Sequence, residues 1–166
     1  MFNQGGLSLE QAPPISVVLR FFITASVFGI VAGVLLLIFG KEVFDVSTKE
    51  ALIITHILAL GVMASFMLGA LFQMLPVIAG VVLKTPTKKA SFVHSTFTTG
   101  VIMIGFAFYT AKPILYLISG VLLGVSLLYT TATTEAYWDI SSCCTTGTTL
   151  TVLVFVALFP ALSVAV

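Results

Sequence analysis

The sequence predicts an all-α fold, a multi-pass transmembrane helical bundle of four helices plus a possible fifth, from its composition and its long uncharged runs. Of its 166 residues, 59% are hydrophobic and only 8% are charged, and the mean hydropathy is +1.20. This charged fraction is about a third of that in soluble domains, too low to hydrate the surface of a small globule. The seven lysines and arginines are scattered among six acidic residues. They form no basic patch, which argues against nucleic-acid binding.

Four runs without charge are long enough to cross a bilayer. About 20 apolar residues, rising about 1.5 Å each, span the roughly 30 Å hydrocarbon core. Backbone polar groups in the core must be satisfied within the protein, and the runs lack a two-residue alternation, so they are predicted to be helices. The predicted helices cover residues 16–40, 49–78, 90–110 and 113–134.

The ends of the chain differ from this central part. Residues 1–14 form a polar leader, and the run after it exceeds a signal-peptide core, so we expect the first helix to be retained. Residues 15–134 then make up the four-helix transmembrane domain. The tail, residues 135–166, is rich in threonine and ends in an apolar stretch with Pro160. Two interpretations of that stretch stay open: a fifth span and a re-entrant segment.

Lysine and arginine positions predict the orientation in the membrane. With alternating helices, Arg20 and the 84–89 loop share one side, which carries four positive residues against three on the other. Because positive residues favour the cytoplasmic side, we expect the N-terminus in the cytoplasm and the chain in the inner (plasma) membrane. Pro76, in the second helix, is expected to kink that helix or to end its straight part.

Two histidines lie in predicted spans, where an ionisable side chain is costly and therefore a functional candidate: His56 and His94. On an α-helical wheel, one stripe holds His56, Leu60, Met63, Met67 and Met74. Such a stripe could line a flat apolar cofactor. His56 is then a candidate axial ligand of haem b, and Met63 and Met67 are candidates to pack against it. The alternative is a buried histidine hydrogen-bonded to a carbonyl or to a neighbouring hydroxyl.

A second stripe of the same helix consists of small or polar residues at intervals of four: Gly61, Ser65, Gly69 and Gln73. Small side chains let a neighbouring helix approach closely. The second helix therefore has a predicted packing face separate from its His/Met face.

His94 is the second candidate metal ligand, but it is not expected to share one iron with His56. From the rise per residue, His56 lies roughly 7–9 Å from the outer end of the second helix. His94 lies about the same distance from the inner end of the third helix, so the two histidines are at different depths in the membrane. Three interpretations remain: a second ligand from another copy or subunit, two separate sites, or a structural His94 bonded to nearby serines and threonines. Cys143 and Cys144 lack the spacing of a metal or redox motif.

The segment THILALGVMASFMLGALFQMLPVIAG, which begins at Thr55, resembles the low-spin-haem helix of the haem-copper oxidase subunit I superfamily. It is also similar to relatives without the catalytic set, including nitric-oxide-response membrane proteins and uncharacterised bacterial multi-pass proteins. The resemblance covers about residues 15–130 and is specific only in the second helix. It implies that His56 binds a low-spin haem whose other ligand comes from a later helix. The chain has no adjacent His-His pair and no histidine after His94, so oxidase activity is not implied.

Together these observations predict an integral membrane haem-binding protein that works in electron transfer or in haem or gas-ligand sensing. No acid–base or nucleophile set is visible that would indicate bond-making catalysis. Expected partners are the lipid bilayer and either further copies of the chain or a second membrane subunit. The main alternative is a cofactor-free structural or assembly subunit of a membrane complex. A transporter component is a third interpretation, with few polar residues to build a path.

Overall fold

The computed structural model describes residues 14–45, 47–79 and 86–135, and the regular structure in these ranges is entirely helical. Four of its helices are long and apolar enough to cross a membrane. The predicted all-helical class and the four long apolar helices are thereby confirmed. The leader before Pro14, the possible fifth span and the Cys143–Cys144 pair lie outside the described residues.

The first helix, α1, covers Ile15–Phe39. It begins directly after Pro14 and ends at Gly40, whose N–H donates to the Leu36 carbonyl. Gly40 has a φ of 56°, a backbone conformation that costs glycine little because it has no Cβ. A short 3₁₀ helix, Gly40–Phe44, follows and leads toward the second long helix.

The second long helix consists of three joined segments. The first, α2, covers Lys49–His56, and the hydroxyl oxygen of Thr48 accepts the Ala51 N–H at its start. A π-helical segment, Ile57–Ala64, follows, and then α3 over Ser65–Ala79. We call the whole, residues 49–79, the composite helix. It continues past Pro76, so this proline does not end the helix there.

The last two helices form an antiparallel pair. α4 covers Pro86–Thr110 and α5 covers Pro113–Glu135. Proline suits the first position of a helix because its missing N–H would have no intrahelical partner there. Only Ala111 and Lys112 connect the two helices, and the Ala111 N–H donates to the Ala107 carbonyl at 2.8 Å. Such a short connection makes the helices antiparallel neighbours.

The composite helix is the most enclosed of the four. Half of its most apolar 18-residue stretch is buried inside the structure, against 22% of the corresponding stretches of α1 and α5. α1 packs along the π-helical segment and α3, while α4 packs against α2 on one side and α5 on the other. The core between them is apolar, and its largest fully buried side chains are Phe21, Phe97, Ile104 and Leu123.

The small-residue stripe of the composite helix faces α1. A Cβ added to Gly61 would lie 2.8 Å from Cγ of Phe28, and one added to Gly69 would lie 2.9 Å from Cε1 of Phe22. Ser65, between these glycines, is also buried. This is the close approach that the spacing predicts, although Gln73, the fourth member of the stripe, is exposed.

The predicted His/Met stripe, in contrast, is not one face. His56 and Leu60 are buried, whereas Met63 and Met67 are 65% and 58% exposed. The wheel assumed α-helical geometry, but a π-helix turns about 80° per residue instead of about 100°. Over the seven residues from His56 to Met63, the difference amounts to about 140° of rotation. The π-helical segment therefore turns the methionines away from the histidine.

Candidate functional site

The candidate site is centred on His56, the last residue of α2, just before the π-helical segment. Its side chain is only 6% exposed. The ring atom Nδ1 lies 2.8 Å from the carbonyl oxygen of Leu52, one turn earlier in the same helix. The imidazole is thus held against its own helix.

This contact determines which ring nitrogen of His56 carries the proton. A carbonyl oxygen only accepts hydrogen bonds, so Nδ1–H must be the donor. In the neutral imidazole Nε2 then holds a free lone pair. In the part of the chain that the structure describes, no hydrogen bond to Nε2 is found. His56 therefore combines an oriented, buried side chain with a ring nitrogen that has no hydrogen-bond partner among the described residues.

An aromatic chain leads from His56 across two further helices. The centroid of the imidazole lies 4.6 Å from that of the Phe108 ring on α4. The Phe108 ring in turn lies 5.2 Å from the ring of Tyr116 on α5, with an angle of 77° between the planes. Edge-to-face contacts of this kind are favourable for aromatic rings. Phe108 and Tyr116 therefore fix one side of the His56 environment.

A cavity of about 260 Å³ lies beside this aromatic chain, where α2 and α5 begin and α4 ends. Its lining is amphipathic. Polar groups come from Ser47 and Lys49, and the other walls are formed by Leu52, Phe108, Pro113 and Tyr116. Leu52 and Phe108 line the cavity and also contact His56, which is not among the lining residues.

His94, the second histidine, lies in a different part of the bundle. Its Nε2 is 2.7 Å from Oγ1 of Thr24 on α1, and Oγ1 is 2.9 Å from the carbonyl oxygen of Arg20. The single hydroxyl proton of Thr24 is donated to that carbonyl, so His94 Nε2–H must donate to Thr24. The edge of the Phe21 ring also contacts the imidazole, at 5.0 Å between centroids. His94 therefore joins α4 to α1, and its partner is not one of the nearby serines or threonines of its own helix.

The two histidines are not brought together. Phe108, which contacts His56, lies fourteen residues beyond His94 on the same helix, or about 21 Å along its axis. One iron cannot bind both imidazoles over that distance. This agrees with the different depths expected for the two histidines from the sequence. Met63 and Met67 are not near His56 Nε2 either, since their side chains point outward.

An axial ligand of haem needs particular contacts around its imidazole. A ligating histidine donates its other ring N–H to a carbonyl or carboxylate, which fixes the tautomer and the ring orientation. The Leu52 contact and the unpartnered Nε2 satisfy this requirement. No group of three His, Cys, Asp or Glu side chains that could hold a bare metal ion occurs within the described ranges. The Nδ1 contact of His56 is thus of the kind that an axial ligand makes, but the residue is only 6% exposed, so a haem would reach Nε2 only if neighbouring side chains moved. The methionines do not extend this site.

Sequence reasoning missed Phe108, Tyr116 and the cavity. A signal for Phe108 was present, since the aromatic residues near the end of α4 lie at the depth of His56 if helices alternate in direction. Neither helical periodicity nor composition indicates the cavity, which depends on how three helix ends meet. No family model, curated protein or solved structure matches this chain.

Proposed function

We propose that this chain is a multi-pass protein of the inner (plasma) membrane, with its N-terminus in the cytoplasm, and that it binds haem b through Nε2 of His56. The membrane placement is supported by the four long apolar helices. The orientation is supported by the excess of positive residues beside Arg20 and the 84–89 loop.

One observation carries the haem proposal: the buried imidazole of His56 donates through Nδ1 to Leu52 and keeps an unpartnered Nε2. A buried polar atom without a partner is costly, and native structures rarely keep one without a reason. Haem would supply a one-electron redox centre or an iron that binds a small gas. Because one chain offers one such nitrogen, the second ligand would come from another copy, a second subunit or a bound molecule.

The test is a reduced-minus-oxidised absorption spectrum of the detergent-purified chain, with a pyridine haemochrome assay for stoichiometry. We expect a haem spectrum near one haem per chain or per dimer. His56→Gly should lose the haem and regain it when imidazole is added, because free imidazole can occupy the vacated space. His94→Ala is the matched control and should keep its haem, since Nε2 of His94 is engaged by Thr24.

A full haem complement in His56→Gly without imidazole would overturn the assignment of the ligand. A colourless wild-type protein, expressed with added haem, would overturn the haem proposal itself. The spectrum therefore tests whether the protein binds haem, and the two variants test whether His56 is the residue that binds it.

The second candidate is a cofactor-free structural or assembly subunit, and a specific observation favours it. Both imidazoles have contacts inside the chain, His56 with Phe108 and His94 with Thr24. Gly33, Gly105 and Gly124 have open space where a side chain would lie, so a partner helix could approach there. A colourless protein that co-purifies with a defined membrane subunit would support this function.

A further inference from the structure

The cavity between the ends of α2, α4 and α5 has a composition that the His56 site does not use. Lys49 and Ser47 lie on its polar side, while Phe108 and Pro113 contribute apolar walls. Its volume, about 260 Å³, is just below the roughly 300–1,000 Å³ of sites that enclose a whole drug-sized ligand. The cavity therefore suits one polar group of a larger molecule, with the remainder outside.

The position of the cavity indicates what kind of molecule that is. Two of the candidate membrane spans begin beside it, at Lys49 and at Pro113, and a third ends beside it, at Thr110. In a membrane this is the depth at which the hydrocarbon meets the headgroups. A ligand there has both a polar and an apolar environment, which matches the mixed lining.

The charge near the cavity favours an anion. The Lys49 side chain is 58% exposed, and its ammonium lies 5.7 Å from the centre of the Tyr109 ring. α2 and α5 both start here, and the start of a helix carries a partial positive charge. Three features oppose this: the Glu50 carboxylate, 3.9 Å from the Lys49 ammonium, the Asp45 carboxylate, which accepts the hydroxyl and the N–H of Ser47, and the end of α4. The pair between Lys49 and Glu50 is long, and its lysine is exposed although the Glu50 side chain is only 16% exposed, so the ammonium can exchange Glu50 for a ligand.

We propose that this cavity binds the phosphate headgroup of an anionic phospholipid, with Lys49 as its cation and with Phe108 and Pro113 packed against the glycerol and the first methylenes. The inference rests on the membrane placement proposed above and is independent of haem. It goes beyond the general contact of a membrane protein with lipid, because it assigns one headgroup to one defined cavity.

The experiment is native mass spectrometry of the full chain, purified in detergent and incubated with phosphatidylglycerol or phosphatidylcholine. We expect one phosphatidylglycerol to be retained preferentially. Lys49→Ala should lower its affinity about five-fold, the effect of one lysine near a charged lipid surface. Lys49→Arg should retain it. Lys112→Ala is the matched control, because Lys112 lies at the same end of the bundle without lining the cavity.

Three outcomes would overturn the proposal. Equal retention of the two lipids would show that the headgroup charge is not recognised. Equal losses in Lys49→Ala and Lys112→Ala would show a diffuse attraction without a defined site. Displacement of the lipid by millimolar inorganic phosphate would show that the cavity binds phosphate from any source.

The membrane placement has its own test, so its failure can be distinguished from a failure of the headgroup site. Carbonate washing of cell membranes should leave the chain in the pellet. A chain that stays in the pellet but retains no lipid overturns only the headgroup site. A chain released by carbonate overturns the placement on which the site rests.

Discussion

Ala111 shows how a single residue adapts the connection between α4 and α5. Its φ of 52° is the only positive value among non-glycine residues in the described ranges. In this left-handed region a Cβ crowds the following carbonyl, at a cost of roughly 1–2 kcal/mol. The helix end is nevertheless formed, because the Ala111 N–H reaches the Ala107 carbonyl. Glycine is the usual residue where a helix ends in this left-handed conformation.

The expected consequence is that Ala111→Gly stabilises the protein. Relief of the strain, reduced by the greater freedom of glycine in the unfolded chain, should raise the free energy of unfolding by about 0.5–1 kcal/mol. Ala107→Gly, in the interior of α4, is the control and should lower it by about 1 kcal/mol. Thermal unfolding in detergent measures both. Destabilisation by Ala111→Gly would mean that the methyl group makes contacts worth more than the strain.

Asp45, in the connection between α1 and the composite helix, has a pH-dependent role. Its carboxylate accepts the Ser47 hydroxyl at 2.5 Å and the Ser47 N–H at 3.0 Å, and these bonds lower the pKa of Asp45, the hydroxyl contributing most. Because the folded pKa lies below the unfolded value, the stabilisation is present above about pH 4 and is lost as the pH falls further. The melting temperature of wild type should therefore exceed that of Asp45→Ala at pH 6, and the two should converge near pH 3. A constant difference across that range would contradict this role.

At the scale of the helices, the sequence predicted well where each helix begins and ends. It predicted badly in which direction the side chains of the second helix point. The second helix was expected over 49–78 and is found over 49–79, because charged residues and breakers mark where an apolar helix ends. That His56 and Met63 lie on different faces was not predictable, because a helical wheel assumes the same rotation at every residue. A π-helical segment such as Ile57–Ala64 has no composition that separates it from a buried α-helix. The pairing of His94 with Thr24 was likewise out of reach, since it depends on which helices are neighbours.

The packing of α1 on the composite helix yields a paired prediction. Gly61→Ala would bring a Cβ to 2.8 Å from Cγ of Phe28, near the base of a buried ring that cannot easily move. It should lower the free energy of unfolding by about 1–3 kcal/mol, the usual cost of overpacking. Gly33→Ala meets nothing within 4 Å and should raise it by about 0.5–1 kcal/mol through helix propensity. A Gly61→Ala variant that is as stable as wild type or more stable would contradict the close approach of these helices.

At the scale of the whole molecule, the proposed topology alternates the ends of the four helices between two sides. In a background with Cys143 and Cys144 replaced by serine, Lys112→Cys should react with a membrane-impermeant maleimide added to spheroplasts. Lys88→Cys should react only after the membrane is opened. Lys41→Cys is the control and should behave like Lys112→Cys. Reaction of Lys88→Cys alone would reverse the orientation, and reaction of both Lys88→Cys and Lys112→Cys from outside would exclude a crossing between them.

The two-residue connection between α4 and α5 also constrains how the chain is made. α5 presents Ser119, Ser126 and Thr130 to the interior, all almost fully buried. A Cβ on Gly100 of α4 would lie 2.9 Å from Cγ of Leu123, so the two helices are closely fitted. The three hydroxyls donate to carbonyls of α5 itself, so they stay satisfied in lipid, but α5 alone in the bilayer would lack this close packing against α4. We therefore expect α4 to remain at the insertion machinery until α5 has been synthesised. The two helices would then enter the bilayer together as one hairpin.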